Sequence, residues 1–218
     1  MCFSAAASFV TAVVTSAIGL ATLSRATAPQ QWLLAATPFI FAAQQSLEGV
    51  LWLALPSGSG GPFASSLTLL FLLFAQVCWP VLAPIAVLLV EPQRKRRLLM
   101  LPSLAAGAAV AAYLLWGIVA RDHRAEIIDG HIVYMTEEPF SLPIGLAYLA
   151  ATALPVMLSS QRAVAALGTV VLLGGIVAYS FYWQAFVSVW CFFAAAASGL
   201  ILFHFEKQRT ARPLLVGR

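Results

Sequence analysis

A chain of 218 residues that is 61% hydrophobic and only 9% charged, with mean hydropathy +0.92, is not an ordinary soluble domain, since those carry about 25% charged residues. Its net charge of +4 and pI near 9.3 would suit a nucleic-acid binder by themselves. The basic residues, however, lie between long apolar runs, so they report membrane orientation and exclude a nucleic-acid surface. Three cysteines leave one unpaired within the chain and argue against a disulfide framework.

A membrane-spanning helix needs about 20 mostly apolar residues, and seven stretches qualify: 3–24, 32–55, 65–90, 98–120, 142–159, 164–182 and 184–205. Met1-Cys2-Phe3-Ser4 has no basic leader region, so the first stretch is expected to be a mature helix and not a signal peptide. The last two stretches are almost continuous. As one helix, 164–205 would run about 63 Å, twice the hydrocarbon thickness. A break is therefore expected at Tyr179-Ser180-Phe181-Tyr182-Trp183-Gln184, an aromatic cluster suited to a membrane surface.

With the N-terminus outside, the inner segments hold Arg25, Arg94, Lys95, Arg96, Arg97, Arg162, Lys207, Arg209, Arg212 and Arg218. Only Arg121 and Arg124 then remain outside. A six-helix arrangement would send the basic tail out and weaken this asymmetry. The expected fold is thus all-α: a polytopic bundle of seven transmembrane helices forming one integral membrane domain over residues 1–218. Its N-terminus is outside and its C-terminus is in the cytoplasm.

Helix one carries Ser4, Ser8, Thr11, Thr15, Gly19 and Thr22 at helical spacing, which lets a neighbouring helix approach closely in lipid. Ser103, Gly107 and Ala111 on helix four, and Gly168 and Gly175 on helix six, read the same way. The stretch 56–63, Pro-Ser-Gly-Ser-Gly-Gly-Pro-Phe, is a connection. In the one sizeable loop, 121–141, Asp129-Gly130 between β-branched runs predicts a short outer β-hairpin at about 125–134. That loop also carries Asp122, Glu126, Asp129, Glu137 and Glu138. His123 and His131 among these acids are weak metal candidates, because no standard ligand spacing accompanies them.

The distinctive stretch is Gln44-Gln45-Ser46-Leu47-Glu48-Gly49-Val50-Leu51-Trp52, which puts a carboxylate inside an apolar run. Gln44, Gln45, Glu48 and Trp52 share one helical face. A carboxylate at that depth costs about 2.5–3.5 kcal/mol on insertion scales, so such groups face a protein interior and find partners there. No Lys or Arg shares its layer, which leaves donors or a guest cation to compensate. Glu48 lies about 10 Å below the outer end of its helix, and Cys191 reaches a similar depth on helix seven, on the face of Gln184 and Ser188. Helix three adds Gln76, and Pro80 and Pro84 there can open backbone carbonyls to a cavity. The expected ligand-binding set is therefore Glu48, Gln44, Gln45, Gln76, Gln184, Ser188, Cys191 and Trp52, lining an outward-facing polar chamber. The alternative for Glu48 is a neutral carboxyl that locks the bundle through the glutamines.

Absences narrow the chemistry. Lys95 and Lys207, the only lysines, are outside the apolar runs, so a retinal Schiff base has no attachment point. A single histidine, His204, is near a span, so a bis-histidine haem between helices is not supported. The histidines and aspartate of ceramidase-like zinc hydrolases are missing, and no phosphate-binding loop or dinucleotide motif occurs. The cofactor, if any, stays unassigned.

The opening MCFSAAASF, the QQSLEGVLW of helix two, the CWPVLAP of helix three and the closing AFVSVWCFFAAAASGLILFHF resemble an uncharacterised family of bacterial multi-helix membrane proteins, a domain of unknown function. The resemblance covers nearly the whole chain. It implies an intact bacterial inner-membrane protein and carries over no catalytic residue. Three functional expectations follow. The first is a chamber around Glu48 that binds or translocates a small ligand, metal ion or proton. The second is an accessory subunit of a larger membrane complex, or a homo-oligomer, joined through small-residue helix faces. The third is an intramembrane enzyme using Cys191 or Cys2 with Glu48, which lacks a nearby histidine base.

Overall fold

The computed structural model describes residues 4–57, 61–135 and 141–211. Met1 to Phe3, Glu137, Glu138, Arg212 and Arg218 fall outside these, and with them the readings placed on Cys2 and on the far tail. Its helices are α1 (Ala5–Leu23), α2 (Trp32–Ala54), α3 (Pro62–Leu72), α4 (Trp79–Val90), α5 (Arg94–Ala120), α6 (Leu142–Met157), α7 (Arg162–Phe181), α8 (Phe186–Ala197) and α9 (Gly199–Ala211). A π-helical segment, Leu73–Cys78, fuses α3 and α4, and α8 continues through Ser198 into α9. The described residues thus form seven rods at the seven expected places.

Five rods are long and apolar enough to cross a membrane: Ala5–Leu23, Pro62–Val90, Arg94–Ala120, Arg162–Phe181 and Trp183–Thr210. The other two depart from that pattern for separate reasons. The apolar helix α6 has 16 residues, while α2 has 23 but is diluted by Gln44, Gln45, Ser46 and Glu48. The break between the last two rods falls where the aromatic cluster placed it. Tyr182 leaves the helical region at φ −134°, and a 3₁₀ turn over Trp183–Ala185 leads into α8.

The hairpin forms from β1 (Arg124–Ile128) and β2 (His131–Met135), antiparallel with Ile127 opposite Ile132. Asp129 and Gly130 both have positive φ, at 49° and 74°, as a two-residue turn between right-twisted strands requires. Ile132 and Ala125 are buried against Leu51, Leu55 and Leu67, so the hairpin covers the ends of α2 and α3.

Side-chain size sets how closely the rods meet. The buried seam of α1 is Ser8, Ala12, Thr15, Gly19 and Thr22, and it faces α2. The Thr22 hydroxyl donates across this seam to the Ala35 carbonyl at 2.6 Å, and the ring of Phe39 fills the space that a side chain at Gly19 would take. Outward, α1 presents Val10, Val13, Val14 and Leu20.

In the α3–α4 rod, prolines direct the packing. Proline has no N–H, so Pro84 leaves the carbonyl of Pro80 without its helical donor. That carbonyl faces α5 exactly where Gly107 stands, and a Cβ at Gly107 would overlap it.

At the end opposite the hairpin, short polar connections interlock. Glu91, only 2% exposed, accepts from the Ser159 hydroxyl at 3.1 Å, the Ser160 backbone N–H at 2.7 Å, the Ser160 hydroxyl at 2.7 Å and the Gln93 backbone N–H at 3.0 Å. Gln161 donates to the Val90 carbonyl at 2.6 Å, and Arg96 to the Leu158 carbonyl at 2.7 Å. Gln208 of α9 donates to Gln161 and accepts from Gln31, while Arg25 pairs with Glu206 at 2.5 Å. Three interhelical connections and the last helix are therefore held together at this end.

Burial alone would raise the Glu91 pKa, but the hydrogen bonds from Ser160, Gln93 and Ser159 outweigh it and hold the carboxyl below the usual carboxylate range. A depressed folded-state value contributes stability that is complete above the unfolded value of about 4.3 and is lost as pH falls through the folded value. Between about pH 5 and about pH 3, the wild type is expected to lose thermal stability more steeply than Glu91→Gln. At neutral pH, Glu91→Gln is expected to be less stable by about 1–3 kcal/mol; parallel melts in detergent check both. Gly107→Val, which drives a side chain into the Pro80 carbonyl, is expected to cost about 1–3 kcal/mol or more in the same assay.

Candidate functional site

Glu48 is fully buried. Its side chain leaves α2 one turn beyond Gln44, and donors reach it from two other elements. The Ser188 hydroxyl of α8 donates to Glu48 Oε1, and the Tyr134 hydroxyl of β2 donates to the same oxygen at 3.4 Å. Tyr134 is held by Phe71 of α3, with the rings stacked at 4.5 Å and 3° apart. Hence α2, α3, α8 and the hairpin converge on one carboxyl, and the hairpin lies over it.

Gln44 and Gln45 are also fully buried. Gln44 Oε1 accepts from the indole N–H of Trp79 at 2.7 Å, and the Trp79 ring stacks on Phe41 at 4.0 Å. Both polar ends of Gln45, the amide nitrogen of Gln44, the indole nitrogen of Trp52 and the Ser8 hydroxyl are buried with no hydrogen-bond partner among the described residues. Buried polar atoms are nearly always paired. This unmet hydrogen-bonding capacity, spread along α2 within about one turn either side of Glu48 and on the buried seam of α1, forms the polar layer of the bundle.

Beyond Trp79 and Cys191, toward the tail end, lies a cavity of about 80 Å³ whose walls include Phe41, Trp79, Tyr148, Trp190 and Cys191. Its polar neighbours are already paired. Trp190 donates to the Val171 carbonyl at 2.9 Å, Thr152 to the Tyr148 carbonyl at 2.9 Å, Thr37 to the Leu33 carbonyl at 3.1 Å and Ser198 to the Ala195 carbonyl at 2.6 Å. The open space is therefore apolar in character and adjoins the polar layer.

The Tyr148 hydroxyl donates to the Ala75 carbonyl, and the reason lies in the sequence. In the π-helical segment the donor for a carbonyl comes five residues on, as Trp79 N–H does for Phe74. For Ala75 that residue is Pro80, which has no N–H to give. Tyr148 supplies the missing donor from α6.

Of the residues expected to line a chamber, Glu48 and Ser188 meet directly, Gln44 and Gln45 are buried within about one turn of Glu48 on α2, and Cys191 lines the adjoining cavity. Gln76 is buried within the π-helical segment. Trp52 is half-buried, and Gln184 is exposed in the 3₁₀ turn. The two histidines lie apart. His123 is buried at the α5–β1 corner, whereas His131 sits on β2 edge-on to Tyr182 at 5.4 Å, where burial pushes its imidazole below the ordinary value. No group of three or more His, Cys, Asp or Glu gathers among the described residues.

Tyr134, Tyr148 and Trp79 complete the site but were not assigned these bonds from sequence. Two signals were available. Tyr134 shares the inward face of β2 with Ile132, and a tyrosine inside an apolar run needs a partner for its hydroxyl.

Together these features define a helical protein with at least five membrane-length apolar helices and a sealed carboxyl–amide layer in its interior. The chain belongs to a family of unknown function, DUF6629, whose profile matches residues 1–215. No curated protein and no solved structure matches it.

Tyr148→Phe removes the only substitute donor shown for the Ala75 carbonyl. It is expected to lower stability by about 0.5–2 kcal/mol, read as a lower melting midpoint with unchanged helix content.

Proposed function

We propose that this chain is a bacterial inner-membrane protein that crosses the bilayer seven times, with the N-terminus outside and the C-terminus in the cytoplasm. Its Glu48 layer binds a small hydrogen-bonding solute or cation. The orientation rests on the eight described basic residues, Arg25, Arg94, Lys95, Arg96, Arg97, Arg162, Lys207 and Arg209, that fall at the tail end and its connections, in keeping with the positive-inside bias. In this orientation the hairpin roofs the site from outside.

The observation that carries the binding reading is Gln45. A fully buried side-chain amide with neither end paired costs about 1–3 kcal/mol, and it lies one turn from the buried carboxyl of Glu48, which accepts from Ser188 and Tyr134. A guest that hydrogen-bonds to the Gln45 amide would relieve that cost, with Gln44 and Glu48 within one turn of it on α2. Glu48 is the anchor in this reading, Gln44 and Gln45 orient the guest, and Tyr134 and Ser188 hold the anchor in place.

The accessory-subunit reading receives less support from the packing. The small-residue seam of α1 is turned inward against α2, and Gly107 and Gly168 are filled by Pro80 and Met157. A partner chain would have to dock on the exposed apolar faces that suit lipid.

Native mass spectrometry of gently extracted protein, with metal analysis of the same sample, tests the proposal. The wild type is expected to carry a stoichiometric small molecule or cation. Glu48→Gln and Gln45→Leu are expected to lose it while keeping the wild-type melting profile to within about 2 kcal/mol. A wild type that carries nothing, together with a Gln45→Leu variant that is simply more stable, would overturn it.

A further inference from the structure

A groove of about 800 Å³ opens between α3 and α5 at the hairpin end. Its sides are apolar, formed by Leu69 and Leu73 on one helix and Leu115, Ile118 and Val119 on the other. Its head is polar and carries Arg121, Asp122, His123 and Arg124. The two guanidiniums outweigh the single carboxylate. Arg121 is steadied over the ring of Trp116, 5.7 Å from its centroid, and Trp116 is itself exposed on the lipid-facing side of α5.

Two features of this head are unusual for the molecule. In the proposed orientation, Arg121 and Arg124 are the only basic residues left outside, and both stand at this one groove. Between them His123 is 9% exposed, and neither ring nitrogen has a hydrogen-bond partner. An imidazole carries one N–H in either neutral tautomer, so a donor is held here out of water and unused. Arginine pairs with phosphate through two parallel N–H bonds, and an apolar trough leading away from such a head matches an acyl chain.

We propose that this groove holds one anionic phospholipid of the outer leaflet, its phosphate against Arg121, His123 and Arg124 and one acyl chain between α3 and α5. The site is separate from the Glu48 layer and does not depend on its occupancy. A free phosphate ion shares the head chemistry but not the trough, which distinguishes the two sources.

The test titrates the purified full chain with dioleoyl phosphatidylglycerol, dioleoyl phosphatidylcholine or inorganic phosphate and counts bound molecules by native mass spectrometry. The wild type is expected to retain one more phosphatidylglycerol than Arg121→Gln/Arg124→Gln, which should bind that molecule at least tenfold more weakly. Leu69→Trp, which fills the trough and leaves the head intact, is expected to lose the same single lipid. Phosphatidylcholine should bind the wild type at least tenfold more weakly, and millimolar phosphate should not displace the lipid. Equal phosphatidylglycerol counts in the wild type and both variants would overturn the proposal. So would displacement by phosphate with no effect of Leu69→Trp, which would mark a simple anion site.

Discussion

A carboxyl group sealed away from water obliges its surroundings to supply what water would have given. Around Glu48 the described donors are two hydroxyls, from Ser188 on α8 and Tyr134 on β2. Each must arrive from an element far away in sequence, so the carboxyl ties a helix near the start of the chain to a loop at its middle and a helix near its end. Apolar packing alone is non-directional. The polar layer sets which faces of α2 and α8 meet and where the hairpin settles, because a rotation of either helix would strand a buried carboxyl or amide.

The same rule governs the backbone of the α3–α4 rod. In an apolar interior a carbonyl that loses its helical donor must find another partner. The two prolines create two such carbonyls, and the structure resolves them differently. Tyr148 donates to Ala75, while the Pro80 carbonyl is packed against the backbone of α5 at Gly107. Pro80, Pro84, Gly107 and Tyr148 act as one unit although they come from three helices.

Much of the architecture was legible because it is local. Apolar runs of the right length gave the rods, Asp129-Gly130 gave the hairpin, and the excess length of 164–205 required the break at Tyr182. The face shared by Gln44, Gln45 and Glu48 was legible from helical spacing in the same way. What escaped was the pairing across elements. Ser188 was placed near Glu48 by depth and by the face it shares with Cys191, but Gln184, one turn earlier on the expected face, ends up exposed, because the chain there is a 3₁₀ turn with a different rotation per residue. Tyr134 sits in a loop whose folding back over α2 and α3 depends on burying Ile132, which no spacing within the loop encodes. The apolar cavity beside the polar layer was also out of reach, since it is bounded by six different helices.

The two ends of the bundle are closed in unlike ways. At the tail end, bonds among Glu91, Ser159, Ser160, Gln161, Gln208 and Gln31 overlap, so the loss of one leaves the connections still joined through the others. At the hairpin end, a two-stranded ribbon reaches the interior carboxyl through the tip of one tyrosine, at 3.4 Å. The molecule is in effect a vessel with a riveted base and a closely fitted cover. Removing the Tyr134 hydroxyl would leave the cover held by apolar packing and ring stacking, whereas the base would keep polar links after any one loss.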